Sequence, residues 1–246
     1  METVLVIGST GNIGVAAVTA ALRSNRDVLA VVRNQESAGR LVKHITSTGI
    51  VTPEEAERRI TVAEADVISQ TGVKAVVDRV RAGTLPAFHY VWSSVGGDYV
   101  ATPLLEITLS QMRHNFNASF EANFFAYQAT MPYLLEQNSP VSTWTSCTGA
   151  QGELAMMPVP AMPQGALFSF ATAASRENEA TNVRFNEVYL AFRVEVDEQA
   201  VQHGVTKASD FAKVYEMVLA DSSVRSSRVR VESVADIETL RCQKKF

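Results

Sequence analysis

Short apolar, β-branched runs alternate along the chain with longer segments whose apolar residues recur every three or four positions. The first pattern is that of a strand buried on both faces, the second that of a helix with one apolar side. Thr3 to Gly8 predicts a strand, and Gly11 to Ser24, with Ile13, Val15, Val18 and Leu22 on one side, predicts the helix after it. Val28 to Arg33 predicts a second strand, Gln35 to about His44 a polar helix, and Pro53 to Arg59 a short acidic one. A third strand opens at Ile60 and ends near Asp66; a helix over Gln70 to Arg81 and a fourth strand over Phe88 to Val95 follow. Leu109 to Glu136 predicts one long helix whose Phe116, Phe120, Phe124, Tyr127 and Met131 mark a face for the core or for a second subunit. Val141 to Ser146, Ala166 to Asn178, Val183 to Leu190, Ala208 to Leu219 and Val229 to Val231 continue the alternation of strand and helix. Each parallel crossover needs a helix to cover the sheet, so the expected fold is α/β, a doubly wound parallel sheet of about seven strands with helices on both faces. No linker, repeat or low-complexity segment divides the chain, and residues 1–246 are expected to form one domain.

Composition narrows the classes that remain. Hydrophobic residues make up 46% of the chain and charged residues 20%, which excludes a disordered, collagen-like or disulfide-scaffold protein. Twenty-two basic residues against 26 acidic ones give a net charge of −4, with no basic cluster to follow a phosphate backbone, so nucleic acid is not an expected partner. Cys147 and Cys242 are far apart and show no metal spacing, which fits free thiols in a reducing compartment. No basic region leads into a long apolar stretch at the N-terminus, and a cytoplasmic location is expected. The uncharged stretch Leu154 to Ser175 is broken by Pro158, Pro160, Pro163 and Gly165, so it reads as an apolar loop leading into a buried helix and not as a membrane span.

The first turn, Gly8, Ser9, Thr10, Gly11, Asn12, Ile13, Gly14, stands between a strand and a helix. Glycines there permit a tight turn and a close approach to a pyrophosphate, while the helix N-terminus offers its amides to the phosphates, as in a Rossmann-type dinucleotide site. Where NAD-preferring folds carry an acidic residue at the end of the second strand, this chain reads Val31, Val32, Arg33, Asn34. A guanidinium suits a 2′-phosphate, so NADP(H) is the expected cofactor, the alternative being a solvated surface arginine. Asp66, followed by Val67, is placed to accept from the adenine amino group, or else is an exposed loop aspartate.

In order, spacing and glycine motif the chain resembles the short-chain dehydrogenase/reductase family over essentially its full length. The family's Asn-Asn-Ala-Gly after the fourth strand corresponds to Ser93, Ser94, Val95, Gly96, and the resemblance implies that Ser94, Val95 and Gly96 back the cofactor. The family's asparagine on the long helix falls on Ser119, and its serine on Ser146 in Ser146-Cys147-Thr148-Gly149. Its tyrosine and lysine, four residues apart at the opening of the next helix, align with Phe168 and Thr172. No tyrosine occurs from Thr145 to Val188 and no lysine from Ala75 to Thr206, so the usual proton donor and its neighbour are missing however the chain is aligned. The family's Pro-Gly near the nicotinamide becomes Leu190-Ala191, with Phe192 and Arg193 after it.

Hydride transfer needs a bound nicotinamide and a well-positioned electrophilic carbon, whereas general acid help is worth roughly 10²- to 10⁴-fold. A conjugated enone, α-pyrone or imine needs that help least. Members similar to this one in fungal natural-product pathways also lack the pair, and the resemblance implies an NADPH-dependent reductase of a polyketide-like or alkaloid-like small molecule in secondary metabolism. Ser146 is the candidate to hydrogen-bond a substrate oxygen, and Glu153, His114 and Arg193 are candidate acids, with water as the alternative donor. Met156, Met157 and Met162, with Phe168 and Thr172, are expected to line the substrate pocket, unless the methionines simply cover the core. The helices 109–136 and 166–178 are expected to join copies into a homo-dimer or homo-tetramer. A non-redox cyclase or isomerase, and a catalytically silent NADP(H) sensor, remain open. No metal motif occurs, and His44, His89, His114 and His203 are scattered.

Overall fold

The apolar runs of the chain become the inner strands of one sheet in the computed structural model, which describes residues 2–246. The first half comprises β1 (Thr3–Ile7), α1 (Asn12–Arg23), β2 (Asp27–Val32), α2 (Gln35–Ser47), α3 (Pro53–Arg59), β3 (Ile60–Glu64), α4 (Gly72–Arg81), β4 (Tyr90–Ser93), α5 (Leu109–Phe116) and α6 (Ala122–Gln137). The second comprises β5 (Thr143–Gly149), α7 (Gln151–Leu154), α8 (Pro158–Glu177), β6 (Arg184–Leu190), β7 (Val194–Glu195), α9 (Asp197–His203), β8 (Thr206–Lys207), α10 (Ala208–Ala220), β9 (Ser227–Val231) and β10 (Cys242–Lys244). The main sheet has eight strands in the order β10-β9-β6-β5-β4-β1-β2-β3, all parallel except β10, and β7 and β8 pair separately. The chain reverses its direction of travel across the sheet between β1 and β4. In such folds, ligands enter the crevice at the carboxyl ends of the strands at that point.

Alternate residues of the inner strands feed two cores. Val4, Val6, Trp92 and Val229 pack with α1 and α10, while Leu5, Ile7, Val91, Trp144 and Phe185 pack with α4, α6 and α8. On the second face Trp144 and Phe185 stack at 5.2 Å, with Tyr127 and Phe170 set edge-on to both. The Trp144 indole N–H donates to Thr130 at 2.9 Å, so the largest ring in this layer carries no orphaned donor.

Besides the short additions α7, β7, α9 and β8, three elements differ from the expected ones. The long helix is interrupted at Asn117–Glu121 by a wide π turn, in which the amide of Ala122 bonds the carbonyl of Asn117. It carries the buried Ser119, a change that no apolar spacing signals. The apolar loop expected ahead of a helix at Ala166 is only 155–157, because α8 opens at Pro158. Pro158 and Pro160 lie in the first turn, where an amide has no helical partner to lose; Pro163 forfeits a single bond. The last strand, β10, is polar and fully exposed, and only its antiparallel pairing with β9 makes it a strand.

One row across the sheet brings four polar side chains side by side. Register places Ile7 beside Ser93, Ser93 beside Ser146, Ser146 beside Glu187, and Glu187 beside Arg228. The fully buried Glu187 accepts from Thr148 at 2.8 Å, from Arg228 at 2.9 Å and from Lys245 at 2.5 Å, which ties the C-terminal end of the chain to the sheet. Arg228 and Lys245 are themselves 12% and 6% exposed, so removing the carboxylate leaves two poorly hydrated cations. Glu187→Ala is expected to cost about 3–5 kcal/mol in urea denaturation; a loss within ~0.5 kcal/mol would show that the cluster does not hold the edge.

Candidate cofactor and active site

The glycine turn is set by close backbone contact. Gly8 has φ +83°, and a Cβ there would stand 3.0 Å from the carbonyl oxygen of Ser94. A Cβ on Gly14 would stand 2.0 Å from the carbonyl oxygen of Gly8, so any side chain there forces the backbone to shift. Gly11 differs: it is exposed, its φ is an ordinary −80°, and its Cβ would make normal contact. Two glycines are thus required by packing, while the third keeps the outer surface of the turn bare. Ser9 donates to the carbonyl of Val31 at 2.6 Å, so its hydroxyl fastens the turn to β2. Asn12 turns away as well, accepting from the amide of Val196 at 3.0 Å, and no side chain caps the start of α1. Thr10, Gly11 and Ile13 therefore surround an uncapped helix N-terminus, a cradle of the shape and polarity a pyrophosphate requires.

The flanks of the cradle carry the other expected cofactor residues. Arg33, at the end of β2, is exposed and has no ion-pair partner among the described residues. Asn34 accepts from the amide of Ser37 at 3.0 Å and is committed to starting α2. Asp66 is exposed beside the half-buried Val67 and accepts from the amide of Ile68 at 3.2 Å, which leaves its other oxygen free. Ser94 and Val95 lie directly beneath Gly8, and Gly96 faces open space. The Ser94 hydroxyl is buried without a partner.

Midway along β5, level with the last residue of β4, Ser146 is fully buried and its hydroxyl also lacks a partner. Beside it in the row, Ser93 is satisfied: it donates to Asn123 at 2.6 Å, and Asn123 donates to the carbonyl of Val95 at 2.8 Å. An orphaned hydroxyl in an otherwise paired row is suited to receive a ligand oxygen. Three residues further on, the amide of Gly149 donates to Gln164 at 2.7 Å. Burial pushes the Cys147 thiol upward, with the Glu187 carboxylate adding to the effect, so Cys147 is a thiol and not a nucleophile at neutral pH.

The remaining expected residues separate into different places. Because α8 opens at Pro158, the opening positions of that helix are not Phe168 and Thr172, as the alignment expected. Instead Gln164 points to Gly149, while Phe168 lies under the Arg228 guanidinium at 4.4 Å and Thr172 bonds the carbonyl of Phe168 within the helix. Glu153 accepts from Arg228 at 2.6 Å and from Tyr189 at 2.9 Å. Partial burial works against its charge, but these two donors hold its carboxyl below the usual range; it is ionised at neutral pH and has no proton to give. The same contact and burial push Tyr189 up to about 12. His114 is exposed and sits 3.6 Å from Asp98 on the loop after β4. Arg193 pairs with Glu195 and lines an open recess of about 870 Å³ beside α10, apart from Ser146. Met156 is 74% exposed, Met157 is half-buried, and Met162 lies within α8, so only the first two belong to a loop.

Sequence reasoning missed Gln164 and Tyr99. Tyr99 stands in the irregular segment after β4, yet its hydroxyl lies 3.0 Å from the point a Gly149 Cβ would occupy, beside the Gln164 side chain. Only the two glycines at 96 and 97 hinted that this segment turns back over the sheet.

Comparison with known proteins gives a consistent result. The short chain dehydrogenase family model matches residues 2–202. A short-chain dehydrogenase/reductase of Pestalotiopsis fici, iacG, is 49% identical over 99% of this chain and 96% of its own length. Among solved structures, a short-chain type dehydrogenase/reductase from Mycobacterium ulcerans superimposes with a TM-score of 0.77 at 16% identity, over 98% of this chain and 92% of that one. A short-chain dehydrogenase from Shigella flexneri, complexed with NADP, gives 0.75 at 18% identity, over 91% and 93%.

The contact at Gly14 supplies a test. Gly14→Ala is expected to cost about 1–3 kcal/mol of stability and to weaken dinucleotide binding, whereas Gly39→Ala, in an open position of α2, is expected to gain roughly 0.5–1 kcal/mol. Urea denaturation of both variants checks this, and equal effects would contradict it.

Proposed function

This chain belongs to the short-chain dehydrogenase family, and from that membership we propose that it is an NADPH-dependent reductase acting on an activated double bond. The substrate class is an enone, α-pyrone or imine within an apolar, polyketide-like or alkaloid-like small molecule. One observation carries this reading: the cofactor cradle is intact, while the family's proton-donating pair is missing from α8.

A bound reduced nicotinamide supplies hydride and both electrons. Gly8, Gly11 and Gly14 shape the turn that receives the phosphates, Arg33 offers an unpaired guanidinium to a 2′-phosphate, and Ser94 to Gly96 form the floor beyond Gly8. Ser146 holds the substrate oxygen where negative charge develops. An acceptor that delocalises this charge requires less acid strength from the protein, and this is the kind of substrate that the missing pair leaves accessible. The segments leaving the site carry exposed apolar side chains, Leu104 and Leu105 on one side and Leu154 and Met156 on the other, which favours an apolar ligand. In the same reading, the half-buried Phe120, Phe124 and Phe125 meet a second copy of the chain.

NADPH deuterated at the reactive nicotinamide carbon, incubated with a panel of aryl enones and 2-pyrones, is expected to place one deuterium in the product, read by mass spectrometry. Turnover with no deuterium and no NADPH consumed would replace the reductase with a cyclase or isomerase. Arg33→Ala is expected to weaken NADPH binding by about 10- to 100-fold with NADH binding little changed; equal losses would remove the 2′-phosphate assignment.

A further inference from the structure

Of the six tyrosines in the chain, most are already engaged or distant from the site. Tyr90 donates to Glu2, Tyr127 accepts from Asn178, and Tyr189 donates to Glu153. Tyr215 is buried against Trp92 on the opposite face, and Tyr133 packs on Phe88 near α4. Tyr99 is different. Its hydroxyl forms no hydrogen bond among the described residues, and it ends 3.0 Å from the point where a Cβ on Gly149 would stand. Gln164 Cδ and Oε1 lie 3.7 Å from the same point. The residue is 55% exposed, and its hydroxyl lies beside the carboxyl end of β5.

We infer that Tyr99, delivered by the loop between β4 and α5, is the catalytic proton donor of this site, in place of the tyrosine missing from α8. The inference rests on the proposed reductase activity.

The loop is built to hold this position. The amide of Gly97 donates to Ser119 at 2.8 Å, Asn115 donates to the carbonyl of Asp98 at 2.9 Å, and Gln111 donates to Thr102 at 2.9 Å. Gly97 has no room for a side chain, since a Cβ would stand 2.6 Å from Asn115 and 3.0 Å from Ser119. Ser119 occupies the position that aligns with the family's asparagine, and its hydroxyl is the one that receives the loop. The departure at Ser119, the π turn that carries it and the placement of Tyr99 are therefore parts of one arrangement.

The proton balance is simple. Hydride from NADPH forms a C–H bond at the electrophilic carbon, and the double-bond electrons move to the conjugated oxygen or nitrogen. The Tyr99 O–H bond breaks, its proton bonds that atom, and the phenolate regains a proton from water. Burial of the hydroxyl, and to a lesser degree Cys147, raise the Tyr99 phenol above its ordinary value, and no lysine lowers it. Tyr99 thus stays protonated through the neutral range but is a weaker acid than a lysine-assisted tyrosine, which agrees with an acceptor that needs modest help.

The test uses the full chain and Tyr99→Phe. Phenol ionisation is followed by ultraviolet absorbance, without cofactor, with saturating NADP⁺ and with saturating NADPH. In the unsubstituted protein the cationic nicotinamide is expected to lower one phenol's pKa by about 1–3 units, NADPH is expected not to, and Tyr99→Phe is expected to lack that transition. With chalcone as the acceptor probe, Tyr99→Phe is expected to lose about 100-fold in kcat while its NADPH affinity stays within about two-fold. Cofactor binding with no such transition, or equal kcat in the two proteins, overturns the role of Tyr99 and leaves the reductase reading standing. Failure of the unsubstituted protein to bind either cofactor form overturns both.

Discussion

The close approach of three backbone segments, the Gly8 turn, the start of α1 and the end of β4, fixes the rest of the site. A Cβ on Gly14 would clash with the carbonyl of Gly8, and one on Gly8, whose φ of +83° already favours glycine, would press on the carbonyl of Ser94. These contacts bring the helix N-terminus to the sheet where the strand order reverses, so the uncapped amides, the end of β2 and the end of β4 all open on the same crevice. Ser9 and Asn12 spend their side chains on holding this arrangement, Ser9 to β2 and Asn12 to the segment before α9. The proposed cofactor surface is consequently made largely of backbone, with Arg33 and Asp66 as its proposed side-chain extensions.

The other half of the site follows a different logic. The polar row Ser93, Ser146, Glu187, Arg228 runs across the strands just below the crevice. At its outer end the charges neutralise one another and fasten the C-terminal segment; at its inner end Ser93 is satisfied by Asn123, and only Ser146 is left with an unpaired hydroxyl. Glu153 belongs to the outer end, since Arg228 and Tyr189 both bind it. The residues with strong charges are thus occupied in structure. Around Ser146 the groups that remain are neutral: the Ser94 and Ser146 hydroxyls, the Gln164 amide that accepts from Gly149, and the Tyr99 phenol. Neutral donors of this kind suit a substrate that arrives already activated.

Much of the fold is legible in local pattern, and the reasons are particular. Val4 to Ile7, Val28 to Val32 and Val188 to Leu190 are buried on both faces, so continuous apolar runs betray them. Glycine spacing betrays the first turn because Gly8 and Gly14 are sterically compelled. β10 escapes, since a polar edge strand carries no apolar period and exists through its partner alone. The early start of α8 escapes because three prolines argue against a helix, although two of them stand where helices tolerate proline. Tyr99 escapes for a deeper reason. It lies 50 residues before Gly149 in the chain, and only tertiary contacts with Ser119, Asn115 and Gln111 bring its loop across the sheet.

The central claim is that this scaffold keeps a working dinucleotide site with a preference for the 2′-phosphate. Trp92 and Trp144, buried on adjacent strands of the sheet, provide an intrinsic fluorescence signal for titration with reduced cofactors. The unsubstituted protein is expected to bind NADPH at least about ten-fold more tightly than NADH. Equal affinity for the two, or binding of neither, would contradict this claim.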